Sequence, residues 1–331
     1  MTGLYTDAFL EDLRAHAGAL APQWGLSPAT QARLLNISEN ATFRLDDPAA
    51  AAPVVVRVHR PAYHSPAEIA SEIAWLEALR AEDVVATPAI LPLAAGGKVA
   101  TFAHDGETRH AVAFEWMEGA EPEAGAGLVP GFRDLGAISA RLHGHVRRWA
   151  KPAGFVRKTW TWETTVGPVM HWGDWRAAEG LDAEGRAILE RTSEALRARL
   201  AAYGEGADRF GLIHADLRLA NLLEKDGRLG VIDFDDCGFG WFAYDFAAAI
   251  SFLETEPYIP DLAAAWLEGY ASVAPLPPEA EAILPHMVML RRMLLTAWIA
   301  SHAETPTARE LMAGGYASGT VALAERHLAT V

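Results

Sequence analysis

The 331-residue sequence contains a single cysteine, Cys237. One thiol excludes an internal disulfide and fits a reducing, cytoplasmic setting. Basic residues are scarce. Twenty-eight Lys and Arg stand against 43 Asp and Glu, for a formal net charge of −15. That sign argues against nucleic acid as a partner and mildly favours a cationic small-molecule ligand. No apolar run reaches the roughly 18 residues of a membrane span, so no membrane role is expected. The N-terminal stretch MTGLYTDAFLEDLR is acidic and has no basic region followed by an apolar one, so it does not read as a signal peptide. No histidine or cysteine grouping has zinc-ligand spacing, and there are no internal repeats. What the chain does have is 51% hydrophobic against 21% charged residues, the composition of a globular protein. At this length it is long enough to divide into two lobes.

Chemistry concentrates in Leu212–Asp236. Lys225-Asp226-Gly227-Arg228 reads as a hairpin turn with Asp-Gly at its centre, flanked by strand-like NLLE and Leu229–Phe234. A hairpin centred there sets Asn221 opposite Ile232, beside Asp233, with Asp216 one loop earlier at the same end. Carboxylate, amide and carboxylate are the base and oxygen ligands that a magnesium-dependent phosphoryl transfer needs. The spacing His214-Ala-Asp216-x-x-x-x-Asn221 fits a kinase catalytic loop, and Asp233-Phe234-Asp235 stands where kinases carry the metal-binding Asp-Phe-Gly. The competing reading is a hairpin with surface acids.

On these motifs the chain resembles the aminoglycoside phosphotransferase and choline kinase family, whose loop reads His-Gly-Asp-x-x-x-x-Asn, and within it the type II homoserine kinase and stress response kinase branch. The resemblance implies an α+β, two-lobed, protein-kinase-like fold. Its small lobe would hold a five-stranded antiparallel sheet and a helix, and its large lobe would be mostly helical. It also implies ATP and Mg²⁺ as cofactors, Asp216 as base, and Asn221 and Asp233 as metal ligands. Arg218 matches the position of a cation that contacts the γ-phosphate, although an ion pair with Asp235 or Asp236 explains it equally.

The N-terminal part carries the expected nucleotide contacts. A helix over residues 6–21 is followed by strands Ala32–Asn36, Ala41–Leu45 and Pro53–His59. Between the first two lies Ile37-Ser38-Glu39-Asn40, without the glycines of a kinase phosphate loop. The resemblance nevertheless gives Ser38, Glu39 and Asn40 a nucleotide-covering role, the alternative being a polar turn. Arg57 stands where kinases place a phosphate-binding Lys, and it keeps that charge with a bidentate fork. Glu72, on a helix over Pro66–Ala81, resembles its acidic partner, with Glu68 as competitor. Ala89–Leu93, Lys98–Phe102 and Arg109–Phe114 complete the sheet, with turns at Gly96-Gly97 and Asp105-Gly106. By resemblance, the backbone of Glu115, Trp116 and Met117 meets adenine. A Gly-, Ala-, Pro- and Glu-rich shift after it divides the chain into 1–115, a hinge and linker at 116–130, and a catalytic and substrate lobe at 131–331.

The remainder reads as helical: Gly131–Trp149, Ala183–Tyr203, Phe242–Glu254, and stretches near 258–273, 279–303 and 306–328. His143 reads as a satisfied core histidine, and Asp245 as a buried carboxylate accepting backbone N–H bonds from the catalytic loop. Lys158–Trp175 holds Trp160, Trp162, Trp172 and Trp175, four of the chain's eleven tryptophans. They form either core or a substrate wall with Glu163 or Asp174 as polar anchors. An acceptor bearing both a hydroxyl and an amine, whether an amino alcohol, an amino acid or an aminoglycoside, suits the acids and rings. A protein Ser/Thr kinase and a non-catalytic ATP-binding module are the alternatives to a small-molecule kinase.

Overall fold

The structure, a computed structural model, describes residues 6–38 and 40–330. Glu39 therefore lies outside the described residues. The chain divides into two compact units. The first takes the chain through Glu82, then Thr87–Glu118 and Lys151–Val156. The second takes Asp83–Ala86, Gly119–Ala150 and the chain from Arg157 on.

Alternation builds the sheet of the first unit. In β2 (Ala41–Asp46) Ala41, Phe43 and Leu45 are buried while the residues between them are half-buried, the period-2 pattern of a strand with one covered face. It pairs antiparallel with β1 (Gln31–Ile37) and β3 (Val54–Val58). Beyond β3 come β5 (Glu107–Glu115) and then β4 (Val99–His104), giving the order β1-β2-β3-β5-β4. The β4–β5 turn is the expected one: Asp105 and Gly106 both take positive φ, 53° and 76°, as a tight hairpin requires. Ala89–Leu93 is not a strand. It touches β5 through an isolated bridge between Ile90 and Phe114. Pro88 and Pro92 have no N–H to extend the ladder.

Helix α1 (Asp7–Ala19) buries Leu13 and Ala17 in the apolar cluster beneath this sheet. Helix α2 (Pro66–Ala81) has the expected bounds and starts at a capping box: Ser65 accepts from the Glu68 N–H, and Glu68 from that of Ser65. Its stripe of Ile69, Ile73, Leu76 and Leu79 is buried.

The second unit is mostly helical. In chain order it contains α3 (Val129–Arg148), β6 (Thr159–Trp160), α4 (Trp162–Thr165), α5 (Ala183–Tyr203) and β7 (Phe210–Ile213). The hairpin β8 (Leu222–Lys225) and β9 (Arg228–Val231) follows, then β10 (Gly238–Trp241) and α6 (Tyr244–Ala249). Last come α7 (Ile259–Ala271), α8 (Ala280–Ser301), α9 (Pro306–Ala313) and α10 (Tyr316–Leu328). Helices α3 and α7 pack so closely that a Cβ at Gly136 would lie 2.0 Å from the Trp266 carbonyl oxygen.

Three expectations are corrected here. The strand expected to Phe234 stops at Val231, because Asp233 takes a left-handed φ of 59°. The helix expected over Phe242–Glu254 is only Tyr244–Ala249, ending before Phe252 turns left-handed at φ 72°. The stretch 306–328 is two helices, broken at Gly314-Gly315.

Helix α8, at 22 residues, is long and apolar enough to cross a membrane, yet it is mostly buried within the protein. It is a core helix. It carries two adjacent arginines, Arg291 and Arg292, each nearly sealed from solvent. Arg292 is neutralised by Glu254 at 2.7 Å and bonds the Thr320 hydroxyl at 2.9 Å. Its guanidinium lies 3.4 Å from the centre of the Tyr316 ring.

Candidate active site

The Asp226-Gly227 turn has positive φ at both residues, 52° and 70°, and Lys225 pairs with Arg228 across it. Counting back along the ladder puts Asn221 opposite Ile232, and the Ile232 N–H donates to the Asn221 carbonyl at 3.0 Å. Asp233 follows directly, exposed and left-handed. Asp is one of the few residues that tolerates such backbone, and strain of this kind concentrates at functional sites.

The loop before the hairpin is held from beneath by Asp245, which is fully buried. Its carboxylate accepts the N–H groups of His214 at 3.3 Å and Ala215 at 2.8 Å, as expected for this residue. It also accepts from His143 Nε2 at 2.9 Å, whose Nδ1 meets the Tyr270 hydroxyl at 3.2 Å. Burial lowers the His143 pKa more than Asp245 raises it, so the ring is a neutral core histidine. Ala215 has φ 68°. The family pattern has glycine at that point, and the bond to Asp245 helps to hold an alanine in a conformation that costs roughly 1–2 kcal/mol. His214 accepts the Asp216 N–H at Nδ1 (3.2 Å) and donates from Nε2 to the Ile232 carbonyl (3.1 Å), so a single tautomer ties the loop to the hairpin.

Four polar contacts converge on Asp216. Asn221 Nδ2 donates to its Oδ2 at 2.7 Å and to its carbonyl at 2.8 Å. Arg218 Nε reaches Oδ2 at 3.3 Å, so Arg218 pairs with Asp216. Its ion pair is with Asp216 rather than the Asp235 or Asp236 of the alternative reading. Arg291 Nη2 lies 2.5 Å from Oδ1. Burial alone would raise the pKa of this carboxyl. The positive charges of Arg291 and then Arg218 outweigh it and hold the group below the usual carboxylate range. Arg291 was not anticipated from the sequence. Its head is pinned by the Ser251 hydroxyl at 3.0 Å and the Ala215 carbonyl at 3.3 Å, and it lies 5.2 Å from the centre of the Trp172 ring.

The loop after the hairpin is fastened through its backbone. Arg157, buried, donates to the carbonyls of Cys237 (2.6 Å) and Asp235. Trp160 Nε1 donates to the Asp236 carbonyl at 2.8 Å. Trp160, Trp172 and Trp175 are at most 4% exposed. Trp162 is half-buried with its indole N–H on the Ser193 carbonyl at 2.9 Å. Trp160 thus fastens this loop, and Trp172 and Trp175 lie in the core. Of the proposed anchors, Asp174 caps a short helical turn and pairs with Arg176 at 3.1 Å, and Glu163 is exposed on α4.

In the first unit, Arg57 on β3 and Glu72 on α2 meet as the resemblance implied. Arg57 Nη2 is 2.6 Å from both carboxylate oxygens, and the two side chains are 5% and 1% exposed. Glu68 is committed instead to the Ser65 cap. Its carboxyl is pulled down to about 2, chiefly by the neighbouring His64, whose Nδ1 lies 3.9 Å from Oε1. Asn40 Oδ1 accepts the Arg60 N–H at 3.1 Å, and Ser38 N–H donates to the Asn40 carbonyl at 3.1 Å. Glu115 ends β5, and the Arg44 guanidinium lies 4.7 Å from the centre of the Trp116 ring. Met117 follows, half-buried. Replacing Arg57 with Ala leaves Glu72 buried without its cation. We expect a loss of about 3–5 kcal/mol in denaturant unfolding, together with weaker ATP binding. Arg57→Lys should restore part of each, because a point charge replaces a fork. Unchanged ATP affinity in the Ala variant would assign the phosphate contact to another cation.

A sheet-bearing unit and a helical unit with this loop-and-hairpin geometry define the class of the protein-kinase-like phosphotransferases. Residues 31–276 match the model of the phosphotransferase enzyme family, and the chain belongs to that family. It is similar in structure to a microcompartment-associated aminopropanol kinase: 44% identity, TM-score 0.87, covering 96% of this chain and 98% of that one. In sequence it is 32% identical over 193 residues to homoserine kinase from Gluconobacter oxydans (strain 621H), covering 54% of this chain and 57% of that protein. It is 26% identical over 175 residues to amicoumacin kinase from Bacillus subtilis (strain 168), covering 50% and 49%. The chain thus spans about half the length of these curated relatives.

Proposed function

We propose that this chain transfers the γ-phosphate of ATP to the hydroxyl of a small amino alcohol. The observation that carries this reading is the Asp216 carboxylate, held ionised between Arg291 and Asn221, at the end of a hairpin whose next acid is Asp233. Asp216 orients the acceptor hydroxyl and takes its proton. Its lowered pKa makes it a weak base. That suits phosphoryl transfer, where positioning outweighs base strength because the transition state is loose.

The oxygen donors fit a hard divalent cation. The donor end of Asn221 is committed to Asp216, which leaves Oδ1 to face a metal, and Asp233 offers an exposed carboxylate. Bound Mg²⁺ would neutralise phosphate charge. Arg218 is the candidate contact to the transferred group. Ser38, Glu39, Asn40 and the Arg57–Glu72 pair serve the phosphates, and the backbone of Glu115, Trp116 and Met117 serves the base.

The amine follows from the net charge of −15, from the acids at 235–236, and from the likeness to an aminopropanol kinase at 44% identity. Trp160, Trp172 and Trp175 do not support it, being buried. The test compares kcat/KM for aminopropanol with that for propanediol at low and high salt. We expect the amine to be preferred by about tenfold or more, some 1.4 kcal/mol, with the preference shrinking as salt screens the field. If the neutral diol is phosphorylated better, the amine assignment fails and the phosphotransferase assignment stands.

A further inference from the structure

The linear sequence shows no zinc-ligand spacing, but the fold assembles a ligand set in the first unit. Asp12 and His16 lie four residues apart on α1, hence on one face of the helix. His104 ends β4 and comes to the same point. One candidate ligand atom from each lies within 4.8 Å of the others. His104 Nε2 is 2.9 Å from Asp12 Oδ2, and His16 Nδ1 is 3.7 Å from that same oxygen. Ligands sharing a tetrahedral zinc, at 2.0–2.2 Å each, are separated by roughly 3.3 Å. The two separations bracket that value.

The second observation concerns His104 itself. Its side chain is 1% exposed, and neither ring nitrogen has a hydrogen-bond partner among the described residues. Nε2 is close to the Asp12 oxygen yet not aligned to donate to it. Two such atoms 2.9 Å apart are near enough to share one ion. A buried imidazole with no bond is otherwise costly to retain. His16 Nδ1 now donates to the Asp12 carbonyl at 2.9 Å. That carbonyl lies within helix α1, so it keeps a backbone N–H partner when the imidazole turns to a metal. Rings surround the point: His16 and His104 meet edge to face at 5.0 Å, and Phe9 meets His104 at 5.1 Å.

We propose that Asp12, His16 and His104 bind one divalent transition-metal ion of the zinc type, which fastens α1 to β4. It is separate from the Asn221–Asp233 cation and not part of the transfer chemistry. Two imidazoles and one carboxylate select zinc, cobalt or nickel over magnesium, and three protein ligands leave a coordination position open.

The test uses the full chain, stripped with a chelator, in an Asp233→Ala background so that the other cation site does not interfere. Co²⁺ is titrated and its visible absorption read, then displaced by Zn²⁺. We expect one equivalent with tetrahedral bands. The bands should be lost in Asp12→Ala/His16→Ala, whose side chains are 60% and 39% exposed and whose removal spares the core. His104→Gln should lose them as well. In the otherwise native chain, Zn²⁺ should raise the Tm by roughly 2–5 °C. The double variant should show no such rise while keeping its Mg²⁺-dependent turnover. Equal Co²⁺ binding by parent and double variant, or none by the parent, overturns the proposal.

Discussion

Asp216→Asn is expected to lower turnover by about 10²–10⁴-fold while nucleotide affinity changes little. The amide keeps the shape of the carboxylate but cannot take a proton, and it brings an NH₂ group among the donors of Arg291, Arg218 and Asn221. The substitution also removes the partner of a buried guanidinium, so stability falls. The pKa of Asp216 is depressed in the folded protein. Its contribution to stability is therefore complete above the unfolded carboxylate pKa of about 3.9 and is lost as pH falls through the lower folded value. The stability gap between parent and variant should be full at pH 7 and narrow in strong acid. Steady-state kinetics, MgATP calorimetry and urea melts at two pH values measure the three effects. Near-parental turnover would remove Asp216 from the role of base.

Arg291→Met is the second large effect. The side chain is 2% exposed, and its loss leaves the Asp216 and Ala215 oxygens without their shared donor. Breaking a buried pair in this way costs about 3–5 kcal/mol, read as a shift in the urea midpoint. With the strongest of the charges that lower it gone, burial governs the Asp216 pKa and drives it up. The acid limb of kcat should then move to higher pH, a change that a purely structural residue would not produce. Arg291→Lys should recover part of both. If the acid limb stays in place in a variant that remains folded, Arg291 does not tune the base.

The parts of this site that were legible in the sequence were the local ones. Asp226-Gly227 admits one hairpin register, and that register placed Asn221 opposite Ile232. Asp245 could be read as a support because a carboxylate flanked by apolar residues must find donors. The bounds of α2 and α5 match the stretches read as helices from their apolar and charged patterning. The strand beyond Val231 was misread because Asp233 turns left-handed, which the apolar and aromatic residues beside it do not signal. Ala89–Leu93 has strand-like apolar residues, but its prolines limit it to a bridge. Arg291 was missed because it sits among Met and Leu in an apolar helix. The signal was nevertheless present, since two adjacent arginines in such a run cannot both be buried without acids elsewhere in the chain. Which acids those are is a tertiary fact, as is the meeting of His104 with α1.

The pairing of Asp216 with Arg291 joins residues 75 positions apart, and this bears on the order of synthesis. A chain leaving the ribosome presents the catalytic loop and hairpin well before α8 has been made, and domains form largely in that order. Until α8 docks, the loop carbonyl at Ala215 lacks its guanidinium and the carboxylate lacks its strongest counter-charge. A nascent chain therefore carries the aspartate without the charge that holds its pKa down. The loop therefore acquires its full set of buried partners only after α8 has been made and packed.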